Sequence, residues 1–128
     1  MWYKRPMSTP TASTTSVARD AGAAYRQLDY WRRCGVFAAL ESIQEQGDPG
    51  SGRYLTWAPS DARVVGIVSR FARAYQARPL VEELTALVAI AARHATGFAV
   101  RVGAGHWQWV PMVDAFPAEP MIVVPLDG

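Results

Sequence analysis

Apolar and polar positions recur with two different periods along this chain, and the changes of period mark its elements. From Thr14 to Gly35 the spacing is helical. Val17, Ala18 and Ala21 recur at three and four, with Thr14, Thr15 and Ser16 as candidate caps. Gly22 breaks the run. Tyr25, Leu28, Trp31 and Arg32 then recur at three and four, and Gly35 suits a helix C-cap. Two short helices around a glycine turn, within about 20 residues, have the size of a helix-turn-helix. Residues 36–41 (VFAALE) fit either a short strand or a hydrophobic connection. The turn signal at 46–52 (QGDPGSG) and the β-prone run at 53–57 (RYLTW) predict a two-stranded hairpin with a glycine-rich tip. In that run Arg53, Leu55 and Trp57 share one face, and Tyr54 and Thr56 the other.

The helical period returns at Pro59-Ser60-Asp61. Val64, Ile67, Val68, Phe71 and Tyr75 form the apolar face there, with Arg63, Arg70 and Arg73 largely outside it. Pro79 starts another helix, with Glu82 and Glu83 in its first turn and a wide stripe of Leu80, Val81, Leu84, Leu87, Val88, Ile90 and Ala91. Period two governs the last third. Residues 98–102 (FAVRV) and 106–110 (HWQWV) flank Gly103-Ala104-Gly105 as a hairpin, and residues 121–124 (MIVV) predict a third strand.

The chain has 128 residues, half of them hydrophobic and 19% charged, which suits one domain with its own core. Composition divides it into a Ser/Thr/Pro-rich flexible tail (1–13), a helix-turn-helix and hairpin part (14–78), and a helix-plus-sheet part (79–128). No apolar run reaches the ~18 residues of a membrane span, and no apolar stretch follows Lys4 and Arg5, so a cytoplasmic protein without membrane contact is expected. The single Cys34 excludes an internal disulfide and reads as a small apolar filler at a helix end. With His94 and His106 the only histidines, neither a metal nor a cofactor is expected. No Ser/His/Asp or Cys/His set with local spacing, phosphate-cradling glycine loop or HExxH occurs, so a non-enzyme is expected. Charge sharpens the picture. Residues 1–78 hold eleven Lys and Arg against six Asp and Glu, whereas residues 79–128 hold two against five. Only the first part is equipped to meet a polyanion.

The stretch Val17-Ala18-Arg19-Asp20-Ala21-Gly22, then Tyr25-Arg26-Gln27-Leu28-Asp29-Tyr30-Trp31, then Gly35-Val36, resembles the DNA-binding domain of MerR-type regulators. That family shows a V-A-x-x-x-G first helix and an R-x-L-x-Y-aromatic recognition helix closed by a glycine, and YRQLDYW is especially like its actinobacterial members. Gly50-Ser51-Gly52, the strand ending in Trp57, and Ser60-Asp61 opening a helix resemble that family's wing and following helix. The resemblance covers roughly residues 14–90. It implies a winged helix-turn-helix with a following helix pair; together with the small C-terminal antiparallel sheet read from the alternation of residues 98–124, which resemble no family, the expected class is α+β. The chain departs from the family where Thr14 replaces an apolar residue, and where Leu55 replaces the wing arginine, with Arg53 two residues back on the same face. The family's long dimerisation helix and metal-binding tail have no counterpart after residue 90.

A recognition helix enters the major groove with its first turn towards base edges. Tyr25, Arg26 and Gln27 fall there. Arg suits guanine O6/N7 and Gln suits adenine N6/N7, each by paired hydrogen bonds. Tyr25, Tyr30 and Tyr54 offer hydroxyls to phosphates, and Arg19 and Arg53 are expected to clamp the backbone. Asp29 has Arg32 and Arg33 at i+3 and i+4 as partners. Trp107, Trp109, Phe98, Val100 and Val102 are expected to form one apolar patch on a small sheet, which either packs on the Leu80–Ala92 helix as core, offers a homodimer interface, or lines a ligand pocket. The implied function is sequence-specific binding of double-stranded DNA as a transcriptional regulator, a repressor from a phage or prophage among the options. An excisionase or other DNA-bending factor is the near alternative. A protein–protein adaptor with a degenerate helix-turn-helix is the distant one.

Overall fold

The computed structural model describes residues 12–40, 44–46, 54–75, 81–118 and 122–127. In chain order the elements are β1 (Ala12–Ser13), α1 (Thr14–Ala21), α2 (Tyr25–Arg33), β2 (Gln44–Gln46), β3 (Tyr54–Trp57), α3 (Pro59–Ala74), α4 (Val81–Arg93), β4 (Phe98–Gly103), β5 (His106–Val110), a 3-10 turn (Val113–Ala115) and β6 (Ile122–Pro125). The class is α+β, with two antiparallel three-stranded sheets ordered β1-β3-β2 and β5-β4-β6.

Local chemistry sets the ends of the first two helices. The Ser13 side chain accepts from the Ser16 amide and caps α1. Gly22 closes α1 in the left-handed region at φ 74°, and the Ala23 amide reaches back to the Ala18 carbonyl. Gly35 repeats the device at φ 85°, with the Val36 amide on the Trp31 carbonyl. Only three residues separate α1 from α2, so the two helices are locked together by a turn of fixed geometry. Pro59 and the Asp61 carboxylate, which accepts from the Ala58 amide at 3.3 Å, start α3.

The core runs from α1 and α2 through α3 and α4 to the inner face of the second sheet. Val17, Leu28, Val36, Trp57, Ile67, Leu84, Leu87 and Leu126 are fully or almost fully buried. Trp57 is its hub. The indole N–H donates to the Thr14 hydroxyl at 2.9 Å, and the ring meets Phe37 edge-on with centroids 5.4 Å apart. The polar Thr14, which breaks the apolar pattern of α1, thus satisfies a buried donor. Further down, Glu83 of α4 accepts from the buried Arg101 side chain on β4 and from the Gly105 amide at the hairpin tip. Arg63 of α3 donates to the carbonyls of Ala91 and Leu126, tying three segments together.

Several expectations are corrected. Of the two readings of residues 36–41 the hydrophobic connection holds for 36–40: consecutive turns run through Ala39 and bury Val36, Phe37 and Leu40, while residue 41 lies outside the described residues. The partner of β3 is Gln44–Gln46 instead. The tail boundary moves, because Ala12 and Ser13 pair with Trp57 and Thr56; residues 1–11 lie outside the described residues. Cys34 is exposed at the C-cap of α2 and is not a buried filler. The stripe of α4 faces the core as expected. Of its residues Leu84, Leu87, Val88 and Ala91 are buried, Val81 and Ile90 are half-buried against the core, and Leu80 lies outside the described residues. The last strand takes in Pro125, running Ile122–Pro125 among the described residues; Met121 lies outside them.

Thr14→Val removes the only hydroxyl shown to accept from the Trp57 indole. We expect a loss of about 1–3 kcal/mol, read as a lower urea midpoint with an unchanged slope. Glu83→Ala breaks a buried pair and is expected to cost on the order of 3 kcal/mol. Gly66 lies in the middle of α3, where an added Cβ would meet nothing within 4 Å. Gly66→Ala is therefore expected to stabilise by about 0.5–1 kcal/mol, seen as a higher Tm.

Candidate nucleic-acid interface

The outer face of α2 is the candidate site. Leu28 and Trp31 point inward, 0% and 5% exposed, and anchor the helix. Their burial contributes roughly 2–3 kcal/mol each. The opposite face is thereby forced outward. Tyr25, Arg26 and Gln27 are all exposed on the first turn, and Tyr30 follows one turn on; the two tyrosines are 52% and 54% exposed. The N-cap residue is Ala24, with no side-chain cap and no acidic residue in the first turn. The positive end of the helix therefore opens towards solvent beside a guanidinium.

Asp29 is the one acid on this helix, and it is neutralised twice. Its carboxylate is 3.2 Å from Arg32 and 3.0 Å from Arg33, with only 20% of the side chain exposed. Both helical spacings anticipated from sequence are used at once. The acid thus presents little free negative charge, while Arg33 stays 71% exposed.

The other expected contacts fall out unevenly. Arg19 is exposed near the end of α1, 3.9 Å from Asp20, a loose surface pair. Tyr54 opens β3 opposite Gln46. Arg53 and the tip Gly50-Ser51-Gly52 lie outside the described residues, as does the Tyr54 side chain.

The expected apolar patch of the second sheet is not one surface. The register pairs Ala99 with Trp109 and Arg101 with Trp107, which places these four on the face that meets the helices. Trp107 packs edge-on against Phe71 at 5.5 Å. Trp109 stacks on His94 at 4.0 Å and donates to the Thr96 carbonyl. Phe98 lies on the opposite face, edge-on to Phe116 at 5.1 Å, and Val102 falls at the register shift beside the hairpin tip. Alternation along a strand separates residues that sequence proximity groups together.

Sequence reasoning missed the placement of two arginines. Arg73 lies over the α1–α2 turn, where a Cβ on Gly22 would come within 2.3 Å of its Nη1. Arg101 is buried against Glu83, and its signal was available: it shares the inward parity of Ala99. Among the described residues no group of three His, Cys, Asp or Glu side chains is placed to hold a metal ion, and no helix is long and apolar enough to cross a membrane.

No protein-family model, curated protein or solved structure matches the chain.

Because Arg26 and Gln27 are exposed, truncating either to Ala is expected to change stability by no more than about 0.5 kcal/mol. Trp31→Ala, which empties a core site, is expected to cost about 3–5 kcal/mol. Chemical unfolding of the three variants separates the two faces of α2.

Proposed function

We propose that the chain binds double-stranded DNA in a sequence-specific manner through a winged helix-turn-helix, as a MerR-like transcriptional regulator. The observation that carries this reading is the first turn of α2. Arg26 and Gln27 stand exposed beside an uncapped helix end, on a helix whose other side is fixed in the core. In this reading Arg26 and Gln27 reach base edges by paired hydrogen bonds. Tyr25, Tyr30 and Arg19 hold phosphates. The β2–β3 pair carries the wing, with Arg53 as its backbone contact. Helix α1 crosses the backbone and presents α2 to the groove.

The internal neutralisation of Asp29 favours DNA binding over the adaptor alternative. A free carboxylate on a groove-facing helix would repel phosphates; a carboxylate held by two arginines costs little and orients both. The basic excess of residues 1–78 points the same way.

Selection of bound duplexes from a random library tests the reading. Enrichment of a defined motif is expected. On that motif Arg26→Ala should cost about 1–3 kcal/mol and relax preference at one or two base pairs. Arg53→Ala should weaken all sequences alike. A library that yields no motif, with affinity indifferent to both substitutions, would overturn the proposal in favour of an adaptor. Asp29→Asn is expected to raise affinity for random duplex DNA, since it leaves two arginines without their acid; anisotropy titration with an arbitrary duplex reads this directly.

A further inference from the structure

We infer that the groove along α3, between α1 on one side and the outer edge of β6 on the other, is a docking surface for an acidic, extended peptide segment of a partner protein. Two cavities, of about 310 Å³ and about 220 Å³, share Arg70 as a wall. The first is lined by Val17, Ala21, Ala62 and Gly66, with Arg63, Arg70 and Arg73 set against one acid, Asp20. The second lies between Phe71 and Ala74 of α3 and the strand Ile122–Pro125. Gly66 leaves the first cavity open, since a side chain there would project into empty space.

The chemistry of the occupant follows from three features. Arg70 and Arg73 are exposed, and neither has an ion-pair partner among the described residues. Arg63, which also lines the first cavity, is held by the Ala91 and Leu126 carbonyls, so the groove keeps a fixed wall. And β6 is an edge strand: its inner side pairs with β4, and no strand among the described residues pairs with its outer side. An extended segment can add to such an edge through its main chain. Its alternate side chains then meet the apolar cavity walls, and its carboxylates meet two guanidiniums suited to paired hydrogen bonds. Duplex DNA fits less well, because a phosphate backbone has nothing to place against Phe71, Ala74 or Ile122. Pro125 ends the edge, so the added strand is short. None of these residues lies on α2, and the proposal stands apart from the DNA-binding reading.

Selection of random displayed dodecapeptides on the full chain tests it, followed by anisotropy titration of the selected peptides. Winners are expected to combine acidic with apolar residues. The double substitution Arg70→Glu/Arg73→Glu should weaken them about tenfold or more. Gly66→Leu should do the same by filling the groove, without lowering the Tm, because leucine favours the helix more than glycine. Failure to enrich any peptide, winners that are basic or uncharged, or winners that bind both variants as tightly as the parent chain would each overturn the proposal. So would a double variant that loses affinity and salt dependence for duplex DNA while keeping the peptides. That result would assign the two arginines to the DNA platform.

Discussion

The buried Trp57 indole is the constraint on which the arrangement of the first half depends. It is fully removed from solvent, so its N–H must find an acceptor inside the protein, and Thr14 supplies it. Its ring meets Phe37, which follows α2 by a few residues. One side chain on β3 therefore touches the start of α1 and the exit of α2. The direction of α2 relative to the hairpin is set by that clasp and by the two glycine closures at Gly22 and Gly35, and not by α2 itself.

This division of labour leaves the first turn of α2 exposed. Leu28 and Trp31 hold the helix from within. Tyr25, Arg26 and Gln27 are exposed and contribute little to the core. Asp29 is the exception, and its pairing with Arg32 and Arg33 turns a mismatch in charge into a means of orienting two cations. The second half contributes rigidity of a different kind. The Glu83–Arg101 pair and the Arg63 carbonyl contacts stitch α3, α4 and the second sheet together with groups that are mostly withdrawn from water.

Much of this was legible in the sequence. Both helices of the first pair, the glycine turn between them, the start of α3 and the β4–β5 hairpin follow from apolar period and from Gly and Pro placement. Local chemistry decides such features, so local pattern reveals them. Residues 36–41 were ambiguous because a short apolar run is buried equally well by a strand or by successive turns; only the long-range pairing of Gln44–Gln46 with β3 decides. The partners Thr14–Trp57 and Glu83–Arg101 are 43 and 18 residues apart, beyond any periodicity. The aromatic patch misled for the opposite reason: Phe98 and Trp109 are close in sequence and aromatic, yet the register sends them to opposite faces. In the candidate site, the exposure of Arg26 and Gln27 followed directly from the inward placement of Leu28 and Trp31. The position of Arg73 over Gly22 did not, because it needs the packing of α3 against the turn.

The most direct test of the central claim is the salt dependence of binding to random duplex DNA, followed by anisotropy. If Arg19 and Arg53 each neutralise a phosphate, the logarithm of affinity should fall linearly with the logarithm of salt concentration. The expected slope is about −2 or steeper, at roughly −0.9 per phosphate. A flat dependence, or no binding at low salt, would contradict the account.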